Sequence, residues 1–127
     1  MKPINFMDFI VHYQTIMQDP FLVITLALIG LDVVTGLLKA TFLRVLSSSV
    51  SLAGWAKHSG VTLLCITIYP ALTFLGLEEV GAGIMSLAMV TYAISVAENL
   101  SDLNVPIPKF VMIRLDKAKK ALEETEE

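Results

Sequence analysis

The chain has 127 residues, of which 55% are hydrophobic and 17% are charged, and its formal net charge is −3. A soluble domain of this size needs more charged side chains to cover its surface, so the composition indicates an integral membrane protein with one domain. The negative net charge argues against a nucleic-acid-binding protein. The single cysteine, Cys65, excludes an intramolecular disulfide.

Residues 1–19 predict an amphipathic helix. Apolar side chains recur there at helical spacing, at Phe6, Phe9, Ile10, Tyr13, Ile16 and Met17. Such a helix either lies in the membrane interface or packs on the other helices of the protein. The sequence leaves both interpretations open.

Residues 20–100 predict an all-α membrane domain with three transmembrane helices. The three spans are expected at residues 21–38, 61–77 and 81–97. Eighteen residues of helix rise roughly 27 Å at about 1.5 Å each, which just crosses a hydrocarbon core of about 30 Å.

Two local signals bound the first span. Asp19 and Pro20 predict its start, because Asp caps free N–H groups and Pro fits the first helical position. The serine run at residues 47–49 predicts a break, since serine competes for backbone hydrogen bonds. We therefore expect residues 41–60 to connect the first two spans.

The distribution of basic residues predicts the orientation. Residues 101–127 form a charged tail, with a helix after Pro106 and Pro108. The tail and the first connecting segment carry Lys and Arg, whereas the turn between the second and third spans has none. Because basic residues mark the cytoplasmic side, we predict the N-terminus outside and the C-terminus in the cytoplasm.

Asp32 lies near the middle of the first span. A charged carboxylate there costs about 2.5–3.5 kcal/mol on insertion scales. Protonation, a basic partner from its own chain or a neighbour, or a water-filled lumen would each offset that cost. We expect a pore or oligomer face made of Asp32, Thr35, Gly36, Lys39 and Ala40.

The third span carries a stripe of small residues, which let helix backbones approach closely. Its members are Ala82, Ser86, Ala93 and Ala97. The stripe predicts helix packing, either within one chain or between subunits. The sequence has no Ser/His/Asp set, no glycine-rich phosphate loop and no metal-ligand cluster, so we expect neither an enzyme nor a cofactor.

Three sequence elements suggest a family. The residues Asp32, Gly36, Lys39 and Ala40 resemble the Asp-x-x-x-Gly-x-x-Lys-Ala signature of the phage-lysis and toxin-secretion holin family. A second element, Ser-Ile-x-Glu-Asn, is similar to the run that contains Ser95, Glu98 and Asn99, and the proline pair that follows is matched by Pro106 and Pro108. The resemblance covers about residues 28–110.

Two positions depart from the family pattern. Tyr92 stands where an acidic residue is common, and Asn104 stands where glycine is usual. The first departure removes a carboxylate from the third span, which leaves Asp32 as the ionisable carboxyl group deep in the predicted membrane region.

The resemblance implies a function. Such proteins accumulate in the bacterial inner membrane and assemble as homo-oligomers into lesions that release endolysin, or a toxin, and so time host-cell lysis. The implied partners are the lipid bilayer, further copies of the chain and an antiholin, while endolysin is released without being bound. Two alternatives stay open: an antiholin or scaffold that recruits a soluble partner through the tail, and a small cation channel that uses Asp32.

Overall fold

A computed structural model describes residues 3–45 and 48–125, and this part of the chain is all-α. It contains five helices and no strand: α1 (Phe6–Ile16), α2 (Pro20–Phe42), α3 (Ser48–Phe74), α4 (Glu78–Asp102) and α5 (Lys109–Thr125).

The start of α2 confirms the prediction from Asp19 and Pro20. The Asp19 carboxylate accepts a hydrogen bond of 2.8 Å from the backbone N–H of Phe21, and Pro20 occupies the first turn. The same carboxylate accepts a bond of 2.9 Å from the Tyr69 hydroxyl. The Tyr69 ring in turn lies against Gly81, where an added Cβ would stand 3.1 Å from it. One capping residue therefore joins the start of α2 to the end of α3 and the start of α4.

Helices α2 and α4 run parallel, and α3 runs antiparallel to both. The starts of α2 and α4 meet at Tyr69, and near their other ends Lys39 forms an ion pair with Asp102. The interface between α2 and α4 is the largest in the described part of the chain. The hydrophobic core is shared by α2, α3 and α4 and contains Leu22, Ile29, Cys65, Tyr69, Met85 and Tyr92.

Two helices, α2 and α4, are long and apolar enough to cross a membrane, where the sequence predicted three. The predicted second span, residues 61–77, is cut short because α3 ends at Phe74 and the chain turns through Gly76, whose φ is 76°. The apolar helical part, residues 61–74, rises roughly 21 Å, which is less than a hydrocarbon core of about 30 Å. The first half of α3 adds length but carries Lys57 and His58.

The predicted connecting segment, residues 41–60, is wrong in extent. Helix α2 continues to Phe42 and α3 begins at Ser48, so the link is residues 43–47. Ser47 lies outside the described residues, whereas Ser48 and Ser49 belong to α3. Serine is also favoured at helix starts. The serine run therefore coincides with the start of α3 and not with a long connecting segment.

Asn104 ends α4 in the conformation that the family's glycine would adopt. Its φ is 59°, and the N–H of Val105 bonds the carbonyl of Leu100 at 3.0 Å. This is the left-handed turn that commonly closes a helix, and asparagine is among the few other residues that adopt it readily. The departure from the family pattern therefore leaves the local backbone geometry intact.

The two outer helices each pack on one inner helix. In α1, the Phe9 ring meets Phe74 of α3 edge to face at 5.2 Å, and His12 Nε2 lies 2.9 Å from the Thr73 hydroxyl. Helix α1 thus packs on the protein's own helices, and its position in a membrane interface stays a prediction. Helix α5 lies against α4.

Candidate functional site

A buried hydrogen bond joins Asp32 of α2 to Asn99 of α4. The Asn99 side-chain amide donates to Oδ1 of Asp32 at 3.1 Å and to the Thr35 hydroxyl at 3.2 Å. Asp32 is 6% exposed and Thr35 is 3% exposed. One amide group thus binds two positions on the same face of α2.

Thr35 is able to accept from Asn99 because its own proton is used elsewhere. The hydroxyl donates to the carbonyl of Leu31 at 2.9 Å, one turn earlier in α2. Gly36 lies beside this contact, and an added Cβ would stand 3.6 Å from Asn99 Nδ2. That distance is an ordinary van der Waals contact, so Gly36 lies next to the amide without being required by it.

Helix α3 closes the third side of the site with His58. Its Nδ1 lies 3.8 Å from Oδ2 of Asp32 and 3.2 Å from the hydroxyl of Tyr92, which is 2% exposed. The contact with Tyr92 is a hydrogen bond, whereas the contact with Asp32 is at ion-pair distance only. We call Asp32, Thr35, His58, Tyr92 and Asn99 the polar cluster.

The polar cluster offsets the burial of Asp32 within one chain. A buried carboxylate is stabilised by hydrogen bonds from donors, and the strongest of these involve a charged partner. Among the described side chains, no buried nitrogen or oxygen lacks a hydrogen bond. The hydrogen-bond partner that the structure shows is a neutral amide of the same chain, which is none of the three compensations expected from the sequence.

The predicted pore or oligomer face packs on α4 of the same chain, so it is not open to a neighbouring subunit in this structure. Asp32 and Thr35 are buried, while Gly36, Lys39 and Ala40 are half-buried. Lys39 pairs with Asp102 and not with Asp32. The physical reason is that α4 of the same chain presents Asn99, an amide donor that the sequence did not point to as a partner of Asp32.

The small-residue stripe of α4 does not form one continuous seam. Ala97 is buried, Ser86 and Ala93 are half-buried, and Ala82 is exposed. The family-motif residues also differ in burial. Asn99 is buried and Ser95 half-buried, whereas Glu98, Pro106 and Pro108 are exposed.

Sequence reasoning missed His58 and Tyr92 and assigned Asn99 only to a motif at a helix end. Tyr92 and Asn99 are seven residues apart, which is about two helical turns, so they share one face of α4. That spacing was the available signal. His58 fell in the expected connecting segment, and nothing local to it indicated that α3 would bring it to Asp32.

The polar cluster holds three helices together through contacts between polar side chains. It contains one carboxylate, one imidazole, one phenol, one hydroxyl and one amide, and these groups bind each other across three helices. The described residues contain no group of three His, Cys, Asp or Glu side chains that could hold a metal ion.

Comparison with known proteins supplies one match. A family model described as the bacteriophage holin family matches residues 10–120. Neither the curated proteins nor the solved structures gave a match. The matched range includes all of α2, α3 and α4 and every member of the polar cluster.

We predict that Asn99→Leu destabilises the protein by about 1–3 kcal/mol, since it leaves the Asp32 carboxylate without its amide donor. Asp32→Asn keeps an oxygen that accepts from Asn99 and should cost less. Glu98→Gln is the matched control, because Glu98 is exposed on the same turn of α4. Thermal unfolding of the detergent-solubilised protein measures the stability of all three variants. An Asn99→Leu variant as stable as Glu98→Gln would show that the hydrogen bond from Asn99 to Asp32 does not stabilise the fold.

Proposed function

The chain belongs to the bacteriophage holin family, and on that premise we propose that it is a holin whose copies oligomerise in the bacterial inner membrane. The lesions that they form release endolysin, or a toxin, without binding it, and so time host-cell lysis. The observation that carries the proposal is the family match over residues 10–120, a range that contains two apolar helices of membrane length.

The parallel course of α2 and α4 supports three membrane crossings. Two helices that cross in the same direction need the chain to return between them, and α3 is the helix that connects them. Its 27 residues rise roughly 40 Å, which exceeds the hydrocarbon thickness of about 30 Å. We propose that α3 crosses with its polar His58 held against Asp32 and Tyr92, away from lipid.

The orientation proposed is N-terminus outside and C-terminus in the cytoplasm. The last turn of α2 and the link after it carry Lys39 and Arg44, and α5 carries five further basic residues: Lys109, Arg114, Lys117, Lys119 and Lys120. The turn between α3 and α4, residues 75–77, carries none. Basic loops stay on the cytoplasmic side of the membrane.

The polar cluster changes the mechanism that Asp32 suggests. Because its carboxylate already has partners inside one chain, the cost of burying it does not by itself drive assembly. We propose instead that the cluster holds α2, α3 and α4 together as a unit that accumulates in the membrane. Units then meet through the exposed apolar surface of α2, which includes Val23, Ile24, Leu31, Val34, Leu37 and Leu38.

The burial of Asp32 also bears on the alternatives. A cation channel that uses Asp32 requires access for the ion, whereas α4 and His58 cover the carboxylate, which is 6% exposed. We propose an antiholin as a partner that would bind copies of this chain without completing a lesion.

Cysteine labelling tests the orientation. In a Cys65→Ala background, we expect Glu79→Cys to react with a membrane-impermeant maleimide in intact cells. Lys117→Cys, on α5, should react only after the inner membrane is permeabilised. Labelling of the Glu79 position only after permeabilisation would show that the proposed orientation is inverted.

Inducible expression in bacteria tests the function. With a cytoplasmic muralytic enzyme co-expressed, we expect abrupt loss of membrane potential together with release of the enzyme and lysis, because a lesion passes folded proteins. Cells without the muralytic enzyme are the control and should lose potential without lysing. Loss of potential with the enzyme retained would indicate a small channel. A chain without residues 109–127 that no longer permeabilises the membrane would indicate a scaffold acting through its tail.

Two variants of Asp32 test the polar cluster in lysis. Asp32→Leu removes the acceptor of Asn99, so we expect lysis to be abolished, while Asp32→Asn should lyse at an altered time. Asp8→Asn is the matched control, since Asp8 is an exposed carboxylate on α1. Culture turbidity is followed at equal protein levels, and normal timing in both Asp32 variants would remove the cluster from the mechanism.

A further inference from the structure

Helix α5 has apolar residues on two faces. Val111, Leu115 and Ala118 are half-buried at helical spacing, on the side that packs on α4. Phe110 and Ile113 belong to the other side and are 67% and 54% exposed. Large apolar side chains clustered on one exposed face indicate an interaction surface.

The exposed apolar residues are flanked by basic ones. Arg114 and Lys117 line the same shallow concavity as Phe110 and Ile113. These four residues share one face of the helix, because they follow the three- and four-residue steps of an α-helix. We call them the basic apolar face. It is locally positive, although the whole chain has a net charge of −3.

The basic apolar face lies close in sequence to a candidate membrane span. Helix α4 ends at Asp102 and α5 begins at Lys109, with Pro106 and Pro108 in the link. If α4 spans the bilayer, this short link keeps α5 near the membrane surface. Helices with basic residues beside exposed aromatic and aliphatic ones lie in that interface, particularly over anionic lipid.

We propose that the basic apolar face docks on anionic phospholipid headgroups of the membrane that α4 crosses. Phe110 and Ile113 enter the boundary between headgroups and acyl chains, while Arg114 and Lys117 pair with lipid phosphates. The inference rests on the proposed insertion of the chain, and it adds a second contact with the membrane, outside the spans.

The side of α5 that faces α4 carries charged residues, which favours separation of the two helices in a membrane. Lys119 and Glu123 line a groove together with Leu87 and Ile94 of α4. In a bilayer this position would hold two charged side chains beside the middle of a span, where they are costly. Docking on the headgroups instead places both charges in water, so α5 leaves α4 when α4 is inserted.

Tryptophan fluorescence of the full chain tests the docking. The protein carries Trp55→Phe and Phe110→Trp and is reconstituted in brominated phosphatidylcholine, alone or mixed with brominated phosphatidylglycerol. We expect strong quenching of the tryptophan at position 110 in the anionic vesicles and weak quenching in phosphatidylcholine alone. High salt should reduce the quenching, because it screens the attraction between the basic residues and the lipid.

Two double variants separate docking from general charge effects. Arg114→Gln with Lys117→Gln should lower the ratio of docked to undocked α5 by about twenty-five-fold, given a contribution of about fivefold from each basic residue near an anionic surface. Lys57→Gln with Lys119→Gln removes the same charge from the groove on the other side of α5. This control should leave the quenching unchanged.

The outcomes distinguish the docking from the function on which it rests. Resistance to carbonate extraction shows that the chain is inserted. With insertion intact, equal quenching in the two lipids, or equal loss in the two double variants, would overturn the docking alone. A tryptophan that stays in water in anionic vesicles would also overturn it and point to a protein as the occupant. Extraction by carbonate would overturn the insertion and the docking together.

Discussion

The hydrogen bond from Asn99 to Asp32 determines how the three inner helices sit against one another. A carboxylate removed from water must find donors, and here a single amide at 3.1 Å supplies one while also binding Thr35. Because Asp32 and Thr35 are on one face of α2, the amide fixes both the rotation of α4 and its height along α2. His58 adds α3 to the same arrangement.

Two further contacts, near the ends of the helices, hold the same arrangement of α2, α3 and α4. Asp19 and Tyr69 join the start of α2 to α3, and Lys39 and Asp102 join the other ends of α2 and α4. Together with the packing of Tyr69 on Gly81, these contacts place α2 and α4 parallel, so the chain returns between them through α3. The fold of the isolated chain thereby supports a third crossing that hydropathy alone does not assign to α3.

The polar cluster and the exposed surfaces suggest a division of roles. The polar groups near the centre are used within the chain, so contacts between copies are left to apolar residues such as those exposed on α2. Helix α5 packs on α4 with one set of apolar residues and exposes a second set, Phe110 and Ile113, beside Arg114 and Lys117. In the function that we propose, copies accumulate before they act, so each copy has to be stable by itself, and the hydrogen bond to Asp32 contributes to that stability.

The sequence by itself determined where helices form, how some of them end and which family the chain belongs to. Asp19 and Pro20 cap α2 as predicted, and the resemblance around Asp32 is confirmed by the family match. These features depend on neighbouring residues, and local patterns report them. Only the tertiary structure decided that Asn99 and His58 meet Asp32, that Tyr92 meets His58, and that the chain turns at Gly76 and shortens the apolar part of α3. Periodicity tells which residues share a face of a helix, but the partner of that face is set by packing between helices distant in sequence.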